Sequence, residues 1–275
     1  MTTTAPAAAI HATFNYLADE ESAPAYYLYE TAPGYTPPPP AVRKVECAVD
    51  DLRPALAGFS LDRQGFAFVR EDLPALDFLD DAAVREHYYP RCIDLVRAAT
   101  GAAHVLAFDH NVRDKTLSRQ AGSDIREPVR FVHNDYTERS GPQRVRELLG
   151  DAADAALAGR YLFVNVWRPL RGPVEDQPFA VCDADSLRPE DFVPTALCYR
   201  DRRGEIYTVR AHARHRWYYL GHMQPEEIML LKCFDSAGDG RARYTAHSAF
   251  HHPAPAAGAP TRRSIEVRTL AWLAS

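Results

Sequence analysis

The pattern of apolar and polar positions changes character near residue 128. Beyond it, "PVRFVHN", "RYLFVNVWRPL", "QPFAVCDADS", "GEIYTVRAHA", "HRWYYLGHM", "EEIMLLKCFDS", "ARYTAHSAF" and "RSIEVRTLAWL" are short apolar or alternating runs bounded by Gly, Pro, Asp or Ser. Each reads as a strand. Only "GPQRVRELLGDAADAALAG" interrupts them, with a helical spacing. Before residue 128, "KVECAVDD" and "GFSLDRQGFAFVRED" alternate as strands, with Asp62-Arg63-Gln64-Gly65 as a turn inside the second. Asp80 is placed to cap "DAAVREHYY", and Pro90 and Gly101 bracket "PRCIDLVRAATG". That predicts two short helices, or one kinked at Pro90, before a strand "AHVLAFDH". Residues 1–43, which contain "GYTPPPP", predict an extended Pro-rich N-terminal arm, because consecutive prolines forbid both helix interior and central strand. Residues 44–275 then form a single α+β domain: a double-stranded β-helix (jelly-roll or cupin-like) core flanked by helices.

Composition narrows the functional classes. At 275 residues and 46% hydrophobic, the chain buries a sizeable core without staples. A net charge of −5, with Arg evenly mixed among Asp and Glu, provides no basic stripe for nucleic acid and no polybasic membrane surface. Five cysteines, widely spaced and never in a CxxC pair, suggest neither a disulfide framework nor a zinc ribbon. The N-terminus lacks a signal-peptide pattern, and no run approaches the ~18 apolar residues of a membrane span. The expectation is a cytoplasmic protein with a small-molecule partner, no nucleic acid and no membrane, its assembly left open to a homodimer.

The chemistry starts at "VRFVHNDYTERSG", residues 129–141. Positions i and i+2 of a strand share a face, so His133 and Asp135 can reach one ion. A polar pair at a strand end beside a turn is the competing reading. A second histidine on a distant strand would complete the two-His-one-carboxylate set that leaves three positions open on Fe(II). Of the eleven histidines, His11 and His87 lie in the arm and a helix, His251 and His252 in a Pro-rich loop, and His104, His110, His212, His215 and His222 on or near other strands. His247, inside the next-to-last strand run, has the better context. In the final run Arg262, Ser264, Glu266 and Arg268 share one parity, and Ile265 and Val267 the other. Arg262 and Ser264 together make a fork and hydroxyl suited to a carboxylate. An ordinary edge strand with surface arginines is the alternative.

The order HxD, distal His, then Arg-x-Ser on the following strand resembles that of Fe(II)/2-oxoglutarate-dependent oxygenases. More closely, "FVHNDYTERSGPQRVRELL", "FVNVWRPLRGPVEDQPFAVCDADSLRPEDFVP", "WYYLGHMQPEEIMLLKCFDS" and "ARYTAHSAFHHPAP" with "TRRSIEVR" resemble the AsaB/CmcJ-type hydroxylases and desaturases of natural-product biosynthesis, similar to the gibberellin-desaturase group. The resemblance spans about residues 100–270. It implies an oxidoreductase, a dioxygenase acting by hydroxylation, desaturation or related C–H oxidation. His133, Asp135 and His247 would be its catalytic iron ligands, Arg262 and Ser264 the clasp for the distal carboxylate of 2-oxoglutarate, and O2 a co-substrate. The family more often has Pro before the last ligand where this chain has Ala246, a change that alters backbone stiffness rather than ligation. Arg263 and Arg268 are alternative clasps should the strand register differ.

On the substrate side, Asn165 and Trp167 share a strand face and could line a cavity, with Trp167 as core and Asn165 satisfied by backbone as the alternative. Arg113, in "DHNVRD", is placed to meet an acidic substrate at the barrel mouth, with a surface salt bridge as its alternative. Two other functional classes stay open: an iron enzyme with the same triad that does not use 2-oxoglutarate, such as an isomerase or dioxygenase, and a non-catalytic jelly-roll binding protein.

Overall fold

A computed structural model describes residues 9–120 and 125–273 of the chain; the first eight residues of the expected arm lie outside the described residues. Two sheets face one another. The larger, nine-stranded sheet has the spatial order β1 (Ile10–Leu17), β3 (Val42–Asp51), β11 (Trp217–Tyr219), β8 (Phe179–Cys182), β13 (His247–Ala249), β6 (His133–Asn134), β10 (Arg203–Val209), β9 (Phe192–Cys198) and β2 (Ala25–Tyr27), numbered along the chain. The five-stranded sheet has the order β4 (Phe66–Arg70), β12 (Glu227–Asp235), β7 (Tyr161–Pro169), β14 (Arg263–Trp272) and β5 (His104–Asp114). Neighbours in the sheets are distant in sequence, as the crossovers of a double-stranded β-helix require. The fold is α+β, with the helical segment around residues 81–100 packed on the five-stranded sheet and an N-terminal arm that joins the other sheet.

Every one of the eight downstream runs contains a strand. Five of them, β6, β7, β8, β12 and β13, are buried along their whole length. On the five-stranded sheet this has a simple cause. One face of β7 and β12 presents Phe163, Trp167, Met229 and Leu231 to the space between the sheets. The other presents Leu162, Val164, Val166, Ile228 and Leu230 to a second core that includes Tyr88, Cys92 and Val96 from the helical segment. A sheet covered on both faces reads as a continuous apolar run rather than as alternation.

The helical segment runs Asp81–Ala83, a π-helical turn Val84–Tyr88, then Tyr89–Thr100. Asp80 Oδ1 accepts from the backbone N–H of Ala82 (3.0 Å) and Ala83 (3.2 Å), satisfying two donors of the first turn. Pro90 thus falls in the first turn of the long helix, where its missing N–H breaks no bond. Gly101, at φ 68°, ends the helix in the left-handed region. The second helical stretch divides at Gly150 into Ser140–Leu149 and Ala153–Ala158.

Two elements differ from the pattern reading. Only the second half of "GFSLDRQGFAFVRED" is a strand: residues before the turn at 61–64 pair with nothing, and β4 alone joins β12. Conversely, "FVPTALC", not among the runs read as strands, forms β9 in spite of Pro194 within it. It pairs with β10 over seven positions, Phe192 to Cys198, and tertiary pairing overrides the local signal.

The arm is anchored. β1 pairs antiparallel with β3 from Ile10↔Val49 to Leu17↔Val42, and Phe14 stacks on Trp217 at 4.2 Å between ring centres. Farther on, β2 lies parallel to β9 at the other end of the same sheet.

One buried ion cluster bears on the site. The Lys232 ammonium, fully buried, donates to Asp62 Oδ1 and Asp235 Oδ2 at 2.8 Å and to the Ala242 carbonyl at 3.0 Å. Thr245 N–H donates to the Lys232 carbonyl. The loop leading into His247 is therefore fastened to β12 at both the main chain and the side chain.

Candidate functional site

His133 and His247 are brought together by direct strand pairing. β13 and β6 are adjacent and antiparallel, with His247 opposite His133 and the ring centres 4.3 Å apart. β6 is only two residues long, so Asp135 lies just beyond it. The i, i+2 relation nevertheless holds because Asn134 is pinned to the opposite side. Its amide donates to the carbonyls of Tyr136 (2.7 Å) and Cys233 (3.0 Å). His133, Asp135 and His247 each offer a ligand atom, all within 4.8 Å of one another.

The electrostatics prepare these three side chains for a cation. His133 Nδ1 donates to the Phe131 carbonyl at 2.9 Å, which fixes the tautomer and leaves Nε2 with its lone pair directed at Asp135 Oδ1, 3.6 Å away. Burial, reinforced by His247, pushes the His133 imidazole down to about 3, and burial likewise lowers His247. Both are neutral. Burial pushes the Asp135 carboxyl up, but neighbouring Arg268 outweighs it and holds it well below the usual carboxylate range.

The carboxylate is also oriented. Asp135 Oδ2 accepts from Asn165 Nδ2 at 2.9 Å and from Arg268 Nε at 3.4 Å. Oδ1 is left facing His133 Nε2 and, at 3.8 Å, His247 Nε2. The set is one anionic oxygen and two imidazole nitrogens, the donor chemistry that suits iron with open positions.

The second expected constellation lies on the inner face of the five-stranded sheet, which faces the sheet that carries the two histidines. Arg262 is 3% exposed and Ser264 1% exposed. Arg262 Nη1 donates to the Gln177 carbonyl at 2.7 Å and its guanidinium lies over the Trp167 ring, but Nε has no partner; Ser264 Oγ has none either. Burial, together with neighbouring Arg113, pushes Arg262 down to about 9. A buried guanidinium with no carboxylate, beside a buried hydroxyl with no partner, is what a bound carboxylate would complete. The alternative arginines are committed elsewhere. Arg263 donates to Asp114 Oδ2 at 2.8 Å, and Arg268 pairs with Asp109 (3.1 Å), Asp135 and Glu266 (3.4 Å).

Asn165 and Trp167 do share a face of β7, opposite Arg268 and Glu266 of β14 respectively. Neither lines the cleft described below. Asn165 holds the Asp135 carboxylate rather than being satisfied by backbone, and Trp167 is core, stacked on Phe179 at 5.0 Å and under Arg262. Among the described residues Arg113 makes no salt bridge: its Nη1 donates to the Glu127 carbonyl at 3.0 Å, and it lines a cleft of about 850 Å³ with His133, Asp135 and Arg268. The grip of Arg268 on Asp135 was not anticipated. Its signal was present in the parity that Arg268 shares with Arg262, combined with the pairing of β14 with β7.

Comparison with known proteins agrees with this geometry. The family model YDMC, described as an oxidoreductase/YMDC permease-like domain, matches residues 14–272. The hydroxylase/desaturase efuI of Hormonema carpetanum is 34% identical over 248 residues, covering 82% of each chain. The Fe(II)/2-oxoglutarate-dependent dioxygenase nvfI of Aspergillus novofumigatus is 34% identical over 230 residues, covering 81% of each. The chain belongs to the hydroxylase/desaturase family of Fe(II)/2-oxoglutarate-dependent oxygenases. A solved member, the iron and alpha-ketoglutarate-dependent endoperoxidase NvfI, superposes with a TM-score of 0.88 at 28% identity, covering 98% of this chain and 99% of that one. The family's double-stranded β-helix is therefore this chain's fold, and among the described residues no helix is long and apolar enough to cross a membrane.

Proposed function

We propose that His133, Asp135 and His247 bind Fe(II) and that Arg262 and Ser264 bind the distal carboxylate of 2-oxoglutarate. The chain is an Fe(II)/2-oxoglutarate-dependent oxygenase of natural-product biosynthesis acting on a small molecule. The observation that carries the assignment of residues is the pairing of a His-Asp-His cluster with a buried guanidinium that meets no carboxylate among the described residues, and a hydroxyl with no partner, on the facing sheet. Hydroxylation, desaturation or a related C–H oxidation is the reaction class. With all five cysteines unpaired and four of them buried, we read the reducing cytoplasm as its setting.

When bound, iron with 2-oxoglutarate and O2 supplies the oxidant that takes hydrogen from a C–H bond. The chain's own contribution is geometric. Neutral His133 and His247 and ionised Asp135 present three donors on one side of the site, leaving the side toward the cleft for exchangeable ligands. Arg262 and Ser264 anchor one end of the cosubstrate in a buried place that water cannot fill as well as a carboxylate does. The stacked Trp167 and Phe179, with Phe179 5.5 Å from His247 between ring centres, form an apolar wall on the far side. That wall excludes water from the reacting centre.

The test is anaerobic addition of Fe(II) and then 2-oxoglutarate to the purified protein. A weak visible charge-transfer band on the second addition is the expected result. Iron binding without the band would point to an iron enzyme that does not use 2-oxoglutarate, and no iron binding to a non-catalytic jelly roll.

Asn165 is a positioning residue in this scheme, since it touches the ligand carboxylate and not the metal. Asn165→Ala should lower Fe(II) affinity about ten- to a hundredfold, the usual effect of removing an outer partner of a metal ligand. An anaerobic metal titration checks it. Unchanged affinity would show that Arg268 alone orients Asp135.

A further inference from the structure

The cleft that opens onto the cluster has an uneven charge balance. Among the described residues each carboxylate lining it has a cation within reach: Asp109 and Asp135 have Arg268, Glu127 has Arg119, Glu147 has Arg144, and Glu205 has Arg139. Five arginines on the same walls, Arg113, Arg126, Arg130, Arg202 and Arg203, have no carboxylate within ion-pair distance among the described residues. Arg130 meets His251 instead, and Arg202 lies over the ring of Tyr199.

Arg113 is the member of this group best placed relative to the reacting centre. On β5 it stands directly opposite Ser264 of β14, so it shares the inner face that carries Arg262, Ser264 and Arg268. It differs from Arg262 in access: Arg113 lines the open cleft beside His133 and Asp135, whereas Arg262 is buried behind it. One hydrogen bond to a main-chain carbonyl leaves most of its donors unused. The walls farther from the cluster are of another kind. Tyr26, Leu28, Val42, Leu197 and Ile206 line them, and Leu28 and Val42 are large apolar side chains each 46% exposed.

We propose that the organic substrate is an amphipathic acid whose carboxylate is held by Arg113, with its apolar body lying along the Leu28 and Val42 wall. The proposal rests on the oxygenase reading above, in which Arg262 and Ser264 take the cosubstrate. A carboxylate fixed at Arg113 sets how far along the substrate the oxidised carbon lies, so Arg113 determines regiochemistry as well as affinity. The surplus arginines around the cleft supply a field that draws an anion inward, an effect that salt screens.

The experiment uses 4-phenylbutyrate and its neutral counterpart 4-phenylbutyramide as probes. Each is titrated by calorimetry into the full chain loaded anaerobically with Fe(II) and 2-oxoglutarate. The carboxylate should bind at least about tenfold more tightly than the amide, as a charge-assisted contact requires, and added salt should reduce the difference. Arg113→Gln should abolish the preference, and Arg113→Lys should retain part of it. The charge-transfer band recorded on the same samples reports the cosubstrate separately, so absence of the band in the wild-type protein defeats the oxygenase reading and not the carboxylate preference. Equal response to the two probes in the wild-type protein overturns the proposal. So does a preference that survives Arg113→Gln, or loss of the band in that variant, which would place Arg113 in the cosubstrate clasp.

Discussion

His247→Ala is expected to eliminate iron-dependent turnover while leaving the protein folded, and His133→Ala and Asp135→Ala should do the same. Losing an outer partner of a ligand already weakens metal binding about ten- to a hundredfold, and losing the ligand itself exceeds that. Folding is insulated from the change. The His247 side chain makes no hydrogen bond through Nδ1, and the strand around it is held by the main chain, with Cys182 N–H donating to the Ala246 carbonyl and Ala249 N–H to the Val129 carbonyl, both at 2.8 Å. A stability loss of about 1–2 kcal/mol, or a few degrees in melting temperature at this chain length, is the expected scale. Turnover, anaerobic Fe(II) titration and thermal melting on one preparation check all three statements. Near-normal activity in His247→Ala would remove it from the ligand set. His222 is no replacement, since it pairs with Glu175 instead of joining the cluster.

Arg262→Lys should raise the KM for 2-oxoglutarate about ten- to a hundredfold, corresponding to a lost charge-assisted contact of roughly 1.5–3 kcal/mol, while the KM for the organic substrate moves far less. Lysine keeps the charge and loses the planar fork. It also loses the stacking of the guanidinium over Trp167, so a melting curve should accompany the kinetics. Ser264→Ala should act in the same direction more mildly, because a hydroxyl contributes one neutral hydrogen bond. Iron affinity should hardly change in either variant, neither residue being one of the three proposed ligands. Arg263→Lys serves as the control: its partner is Asp114, and a rise in the 2-oxoglutarate KM there, with none in Arg262→Lys, would mean that the clasp sits one residue later.

The strands were legible wherever burial on one or both faces leaves a local trace. The final run shows this well: Ile265 and Val267 pack on the helix side, while Ser264, Glu266 and Arg268 face the other sheet, as parity requires. β9 was not legible, because Pro194 contradicts its local signal and only the seven-position pairing with β10 makes it a strand. The residues before the turn at 61–64 were the reverse case, alternating in sequence yet given no partner strand. For the site, His133, Asp135, Arg262 and Ser264 announce themselves by spacing of two, a period the chain carries locally. Asn165 did not, since nothing near it in sequence says that its amide meets a carboxylate thirty positions away.

By itself, then, the sequence determined which side chains share a face: His133 with Asp135, Arg262 with Ser264 and Arg268, Asn165 with Trp167. Side-chain direction along a strand is a property of the backbone at neighbouring residues and needs no partner. What only the tertiary structure decided is which of those faces meet. The pairing of β13 with β6 sets His247 against His133, and the packing of the two sheets brings Asn165 and Arg268 onto Asp135. It also decided which arginine is left free, because Arg263 and Arg268 find carboxylates on other strands and Arg262 finds none. Such meetings depend on strand order and sheet packing, which are set by burial summed over the whole core rather than by any local pattern.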